Sequence, residues 1–273
     1  MEVHEYIIRR VPKSGIVTLG LFACTHIGHA GIDYNHLQQE IDFIANKPLS
    51  RWIHLGDSGE YITADDKRWE IGSLDPTFRV SDHVDLQVDR GVEIFRPIKS
   101  KGLGIIIGNH EDSYLKHTQS NPAKRLAQGL QIPFLGYTCL IRLRIESRNG
   151  DVWRPVIYAM HGDTHATTPA GQLNYLKVKS NPFACQVAVM AHVHMKSAYN
   201  NEVILAMNEA GDDVEATSRH YAIAGTFQKT YYTRGDGNAS YAEKKHYAPS
   251  AIGCSSVEFH LADRLIRAKD YLS

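Results

Sequence analysis

The chain has 273 residues, 43% hydrophobic and 22% charged, with a formal net charge of zero. That balance is ordinary for a globular protein with a substantial core, and it leaves no overall basic field to recruit nucleic acid or an anionic membrane. No stretch approaches the roughly 20 apolar residues needed to span a bilayer. The start, Met1-Glu2-Val3-His4-Glu5, carries early acids and no long apolar run, so no secretory signal is expected. Four scattered cysteines without a CxxC pair fit a reducing cytoplasm.

Residues 16–23 (IVTLGLFA) read as a first buried strand, ending at Cys24-Thr25-His26. A helix follows over 33–46, with Leu37, Ile41 and Ile44 on one face, and Pro48 ends it. Residues 52–55 form a second strand, ending at Gly56-Asp57. The polar stretch 58–78 is a long loop, and loops of that length inside a compact domain are usually functional. A helix is expected over 82–99, then an all-apolar strand over 103–107 that stops at Gly108-Asn109-His110-Glu111. This strand–helix alternation predicts a largely parallel sheet. After a short helix at 121–130 the character changes. Strands are expected at 138–146, 155–160, 187–191, 203–207, 221–224 and 255–260, with Asn149-Gly150 as a hairpin turn. With no linker or repeat, the reading is a single α/β domain over 1–273, two sheets covered by helices on the outside.

Fifteen histidines is a high count, and several lie beside Gly, Asp or Asn near strand ends. Five segments end strands with side chains able to bind a metal: Cys24-Thr25-His26, Gly56-Asp57, Gly108-Asn109-His110-Glu111, Met160-His161-Gly162 and Ala191-His192-Val193-His194. A single histidine at a strand end is more often a hydrogen-bonded structural residue. Five such segments in this order, each at a strand end, form a far more specific pattern.

In that order the segments resemble the calcineurin-like metallophosphoesterases, whose pattern runs D-x-H, G-D, G-N-H-[DE], H, G-H-x-H. The stretch 226–253 is similar to phage and bacterial members of unassigned substrate. The resemblance implies a four-layer α/β/β/α sandwich of two mixed sheets flanked by helices. It also implies two divalent ions about 3.5–4 Å apart. One would take Cys24, His26, Asp57 and His194; the other would take Asp57, Asn109, His161 and His192, with Asp57 bridging. Paired cations lower the pKa of a bridging water, so that hydroxide can attack the phosphorus in line. In the family the histidine at the position of His110 assists the leaving oxygen or binds the phosphate. Glu60 stands where protein phosphatases have an acid that orients this histidine; the alternative is an exposed loop residue.

Two departures stand out. Ala191 replaces a glycine, a small change. Cys24 replaces the first aspartate, and a thiolate would favour Zn²⁺ or Fe²⁺ over Mn²⁺ at the first site. The other reading of Cys24 is a small buried apolar residue beside a weak first site. Lys67, Arg68 and His165 lie in loops that could reach a phosphate, although solvated loop charges are the commoner identity. Residues 229–234 and 244–247 interleave basic and aromatic side chains, a mixture found at nucleic-acid sites and at homodimer interfaces. The expected activity is hydrolysis of a phosphodiester, with a nucleotide or nucleic acid as the substrate class. The arginine of protein phosphatases is absent, since Tyr61 follows Glu60. The alternative is a non-catalytic binding or scaffold protein with an impaired first site.

Overall fold

The computed structural model describes every residue except 209, 233–240, 245 and 273. Its strands are β1 (Glu2–Val11), β2 (Ile16–Phe22), β3 (Ser50–His54), β4 (Gly102–Ile105), β5 (Thr138–Ser147), β6 (Val152–Trp153), β7 (Val156–Met160), β8 (Val187–Met190), β9 (Ser197–Met207), β10 (Val214–Ile223), β11 (Ser255–His260) and β12 (Leu265–Lys269). The main helices are α1 (Tyr34–Asn46), α2 (His83–Phe95), α3 (Asn109–Thr118), α4 (Pro122–Leu130) and α5 (Pro169–Ser180).

Two mixed sheets result. One runs β12-β11-β2-β3-β4, with β2, β3 and β4 parallel and β11 antiparallel to β2. The other runs β1-β5-β7-β8-β10-β9, with β6 beside β5. Alternating side chains divide the apolar residues among three layers. Leu19 and Leu21 of β2, Ile53 of β3, Ile141 of β5 and Val189 of β8 meet between the sheets. Phe22, Trp52 and Ile105 face the other way and are covered by α1, α2 and α4 through Leu37, Ile41, Val88, Phe95 and Leu126. On the far side Tyr158, Met190 and Tyr221 lie under α5 through Leu176. Three apolar layers between two sheets and two layers of helices make the α/β/β/α sandwich.

Helix α1 ends without a glycine cap. Lys101 Nζ instead donates to the carbonyls of Ile44 (2.6 Å), Ala45 (2.9 Å) and Lys47 (2.8 Å), satisfying the carbonyls a helix leaves unpaired.

Several elements depart from the sequence reading. The strand expected at 103–107 pairs only as β4, Gly102–Ile105, and α2 stops at Phe95 and gives way to a 3-10 turn over Arg96–Lys101. β1 was not expected; it is an edge strand on which only Ile8 and Val11 are buried, so it lacks an apolar signature. α3 is almost wholly polar and buries only Glu111. α5 was not among the expected helices, yet Thr168 caps it and Pro169 opens it. β9 and β10 run well beyond the strands expected at 203–207 and 221–224, as a hairpin whose outer residues, Val203 and Leu205 among them, are exposed. Part of the basic and aromatic stretch, including Thr233, Arg234 and Lys245, lies outside the described residues. Among the described residues no helix is long and apolar enough to cross a membrane.

Candidate metal centre

Parallel strands end at one edge of a sheet, and this fold uses that edge twice. Cys24 and His26 follow β2, Asp57 follows β3, and Asn109 and His110 lie beyond β4 at the start of α3. His161 follows β7 and His192 and His194 follow β8, which is parallel to β7. The two edges face each other across the central core.

The backbone at these turns is unusual. Cys24 (φ 45°), His26 (40°), Asp57 (55°), His192 (72°) and His194 (57°) all occupy the left-handed region, which a side chain makes unfavourable. Hydrogen bonds between loops hold them there: Cys24 N donates to Gly56 O (3.0 Å) and His26 N to Asp57 O (3.1 Å). Two glycines let the loops come together. A Cβ on Gly108 would lie 2.3 Å from Asp57 Oδ1, and one on Gly56, itself at φ +95°, would lie 2.6 Å from Gly108 N. No larger residue fits at Gly108 without moving the Asp57 carboxylate, or at Gly56 without moving the Gly108 backbone and the His161 ring.

The donor atoms gather in overlapping groups. Cys24, His26 and His194 bring their ligand atoms within 4.8 Å of one another, and so do Asp57, His161 and His192, and His26, Glu60 and His110. His161 Nδ1 lies 2.6 Å from the carbonyl of Leu55 and must carry the proton of that bond. Its Nε2 lies 3.1 Å from both Asp57 Oδ2 and Asn109 Oδ1. His192 Nδ1 sits 2.9 Å from the same amide oxygen. With the amide oxygen inward, four potential acceptor atoms converge; a divalent cation compensates such a set. With the amide reversed, its nitrogen would instead donate to Asp57 Oδ2 at 3.0 Å. In the first group, His26 Nε2 and His194 Nε2 face each other at 3.1 Å. These residues fit a pair of divalent ions.

Charge is strongly organised here. Burial opposes ionisation of Asp57, but His161, His110 and His26 outweigh it and hold its carboxyl well below the usual carboxylate range. Burial also opposes Glu60, and His110 and His26 pull it down in the same way. Burial, aided by Asp57, pushes the Cys24 thiol well above its ordinary value, so without a cation it stays protonated. Glu60 is buried, 8% exposed, and differs from its expected position in one respect. Its carboxylate lies nearer His26 Nδ1 (3.2 Å) than His110 Nδ1 (3.8 Å), and its main-chain carbonyl accepts from His110 Nδ1 at 2.6 Å. His165 and Lys67 are exposed on neighbouring loops.

Two residues given no role of their own in the sequence reading of the site hold it together. Glu111, fully buried, accepts from Gly108 N (2.9 Å), Asp57 N (2.9 Å), Ser58 N (2.7 Å) and Ser58 Oγ (2.7 Å). Its signal was present in sequence: a carboxylate at the third residue of a helix commonly bonds back to the cap. His54, equally buried, has no such signal inside a strand. Its Nε2 pairs with Thr25 Oγ1 (3.1 Å), whose hydroxyl donates to Ser58 O (2.7 Å), while Nδ1 accepts from Gly56 N (3.2 Å).

Burial lowers His54 to about 3. The unfolded imidazole, near 6.5, takes up a proton on acidification that the folded one refuses. Stability from this group is therefore complete above pH 6.5 and falls as pH drops towards 3, by about 2 kcal/mol at pH 5. Urea unfolding at pH 7 and pH 5 should show the parent losing that much more than His54→Gln; equal losses would contradict it.

No family model matches the chain, and no curated protein matches it. Solved structures resemble it at low identity, some of them described as metallophosphoesterases. Vps29 complexed with zinc from Entamoeba histolytica is 11% identical, with a TM-score of 0.42 over 93% of this chain and 97% of that one. A metallophosphoesterase from Sphaerobacter thermophilus is 10% identical, with a TM-score of 0.39 over 93% and 88%. The calcineurin-like phosphoesterase YfkN from Bacillus subtilis is 8% identical, with a TM-score of 0.37 over 93% and 88%.

Proposed function

We propose that the chain is a metal-dependent phosphoester hydrolase acting on phosphodiesters, with nucleotides or nucleic acid as the substrate class. The observation that carries this reading is the convergence of Asp57 Oδ2, Asn109 Oδ1, His161 Nε2 and His192 Nδ1 beside Cys24, His26 and His194. Asp57, Asn109, His161 and His192 would hold one divalent ion, and Cys24, His26 and His194 the other, with Zn²⁺ or Fe²⁺ favoured beside the thiol. Such ions supply Lewis acidity that activates water and neutralises phosphoryl oxygens.

His110 contributes the proton chemistry. Its Nδ1 is committed to the Glu60 carbonyl, which leaves Nε2 to carry a proton to the departing oxygen. The preference for diesters rests on Tyr61, which is buried with its hydroxyl 3.1 Å from Ser58 Oγ. Tyr61 thus stands, turned inward, where protein phosphatases carry an arginine. A scaffold role is the second reading, supported by Cys24, whose protonated thiol lies in the apolar layer between the sheets.

The test is hydrolysis of bis(p-nitrophenyl) phosphate by chelator-stripped protein reloaded with Mn²⁺ or Zn²⁺. Metal-dependent turnover is expected, falling about 10²–10⁴-fold in His110→Ala. Folded, metal-loaded protein without turnover on this ester or on short oligonucleotides would favour the scaffold.

A further inference from the structure

Helix α3 presents Asn109 and, one turn later, Ser113 on the same face. Ser113 Oγ donates to Asp66 Oδ2 at 2.7 Å, which ties the loop after β3 to the helix that carries a candidate ligand. Asp66 grips Arg68 on two sides: Nε donates to Oδ1 (3.0 Å) and Nη2 to Oδ2 (2.7 Å), and the Arg68 main-chain N–H adds a third bond at 2.9 Å. A guanidinium held through Nε and Nη2 has one nitrogen left. That nitrogen, Nη1, lies 3.1 Å from the outer atom of the Asn109 amide. The Arg68 side chain remains 33% exposed, while the Asp66 side chain that fixes it is 8% exposed.

The geometry becomes informative when Asn109 turns its oxygen towards Asp57, His161 and His192, as a ligand must. Its NH₂ group then points at Arg68 Nη1, so two donors stand side by side at the mouth of the metal centre. An anionic acceptor reconciles them. We propose that Arg68 and the Asn109 amide nitrogen bind a non-bridging phosphoryl oxygen of the substrate, with Asp66 and Ser113 as positioning residues; this rests on the metal-dependent reading above. Guanidinium and phosphate match in shape, and an arginine whose other nitrogens are pinned loses little freedom on binding. Arg68 and the neighbouring Lys67 are both exposed, and what sets Arg68 apart is its attachment to Asp66.

The experiment measures inorganic phosphate binding by calorimetry on Mn²⁺-loaded parent, Arg68→Ala, Arg68→Lys and Asp66→Asn, with metal content determined on the same samples. Phosphate affinity should weaken about 10- to 100-fold in Arg68→Ala, the range of a lost charge-assisted hydrogen bond. Arg68→Lys should recover part of it, Asp66→Asn should lie between Arg68→Ala and parent, and manganese content should stay unchanged. Phosphate affinity within twofold of parent in Arg68→Ala would overturn the proposal. So would loss of manganese in that variant, which would make Arg68 a prop for Asn109. A parent that binds neither manganese nor zinc would overturn the metal reading itself, and this proposal with it.

Discussion

Replacing Glu111 with alanine is expected to cost about 3–5 kcal/mol of stability, because three buried N–H groups and one hydroxyl lose their acceptor together. The four donors come from Gly108, Asp57 and Ser58, so one carboxylate ties the β3 turn to the start of α3. Burial and the neighbouring charge of Asp57 raise the Glu111 carboxyl, and the hydrogen bonds from the Ser58 N–H and hydroxyl oppose that rise. Glu111→Gln keeps one acceptor oxygen and introduces an NH₂ group among donors, so it should fall between alanine and parent. Urea unfolding of the metal-free proteins measures this directly. A loss under about 1 kcal/mol in Glu111→Ala would mean that water or a rearranged loop takes over the four bonds.

Asp57→Asn should lower turnover by about a thousandfold, several kcal/mol of lost charge stabilisation, and should reduce bound metal. The substitution is close in shape, and Oδ1 can still accept from His110 N, which it does at 2.9 Å. What disappears is the negative charge that faces His161 Nε2 at 3.1 Å and is felt at His26 and Cys24. Initial rates and elemental analysis on the same preparations separate the two effects. Full metal content with a rate within tenfold of parent would remove Asp57 from the set that holds the ions.

The sheets and the location of the centre were legible because buried strands and their glycine ends leave a local imprint. The runs at 16–23, 52–55 and 103–107 each deliver polar groups just past an apolar stretch, and the fold brings those ends together. α3 carries a capping signal at Glu111 but no apolar stripe, so its extent was not legible. β1 and the outer parts of β9 and β10 escaped for a related reason: exposed strands carry charges and apolar residues without a clean alternation. In the site, what sequence could not reveal is which atom meets which. Glu60 was expected beside His110, and only the turn geometry shows its carboxylate nearer His26 while its carbonyl takes the His110 proton. Arg68 lies in an irregular loop, and its place beside Asn109 depends on Asp66 and Ser113, contacts with no periodic signal.

The left-handed backbone at Cys24, His26, Asp57, His192 and His194 has an evolutionary consequence. Each such residue costs about 1 kcal/mol or more relative to glycine in the same conformation. A lineage that abandoned chemistry at this edge would gain stability by letting glycine or asparagine drift into these positions, one at a time and without disturbing the core. Holding five side chains at once in that conformation is a standing cost, which the hydrogen bonds between the loops help to offset.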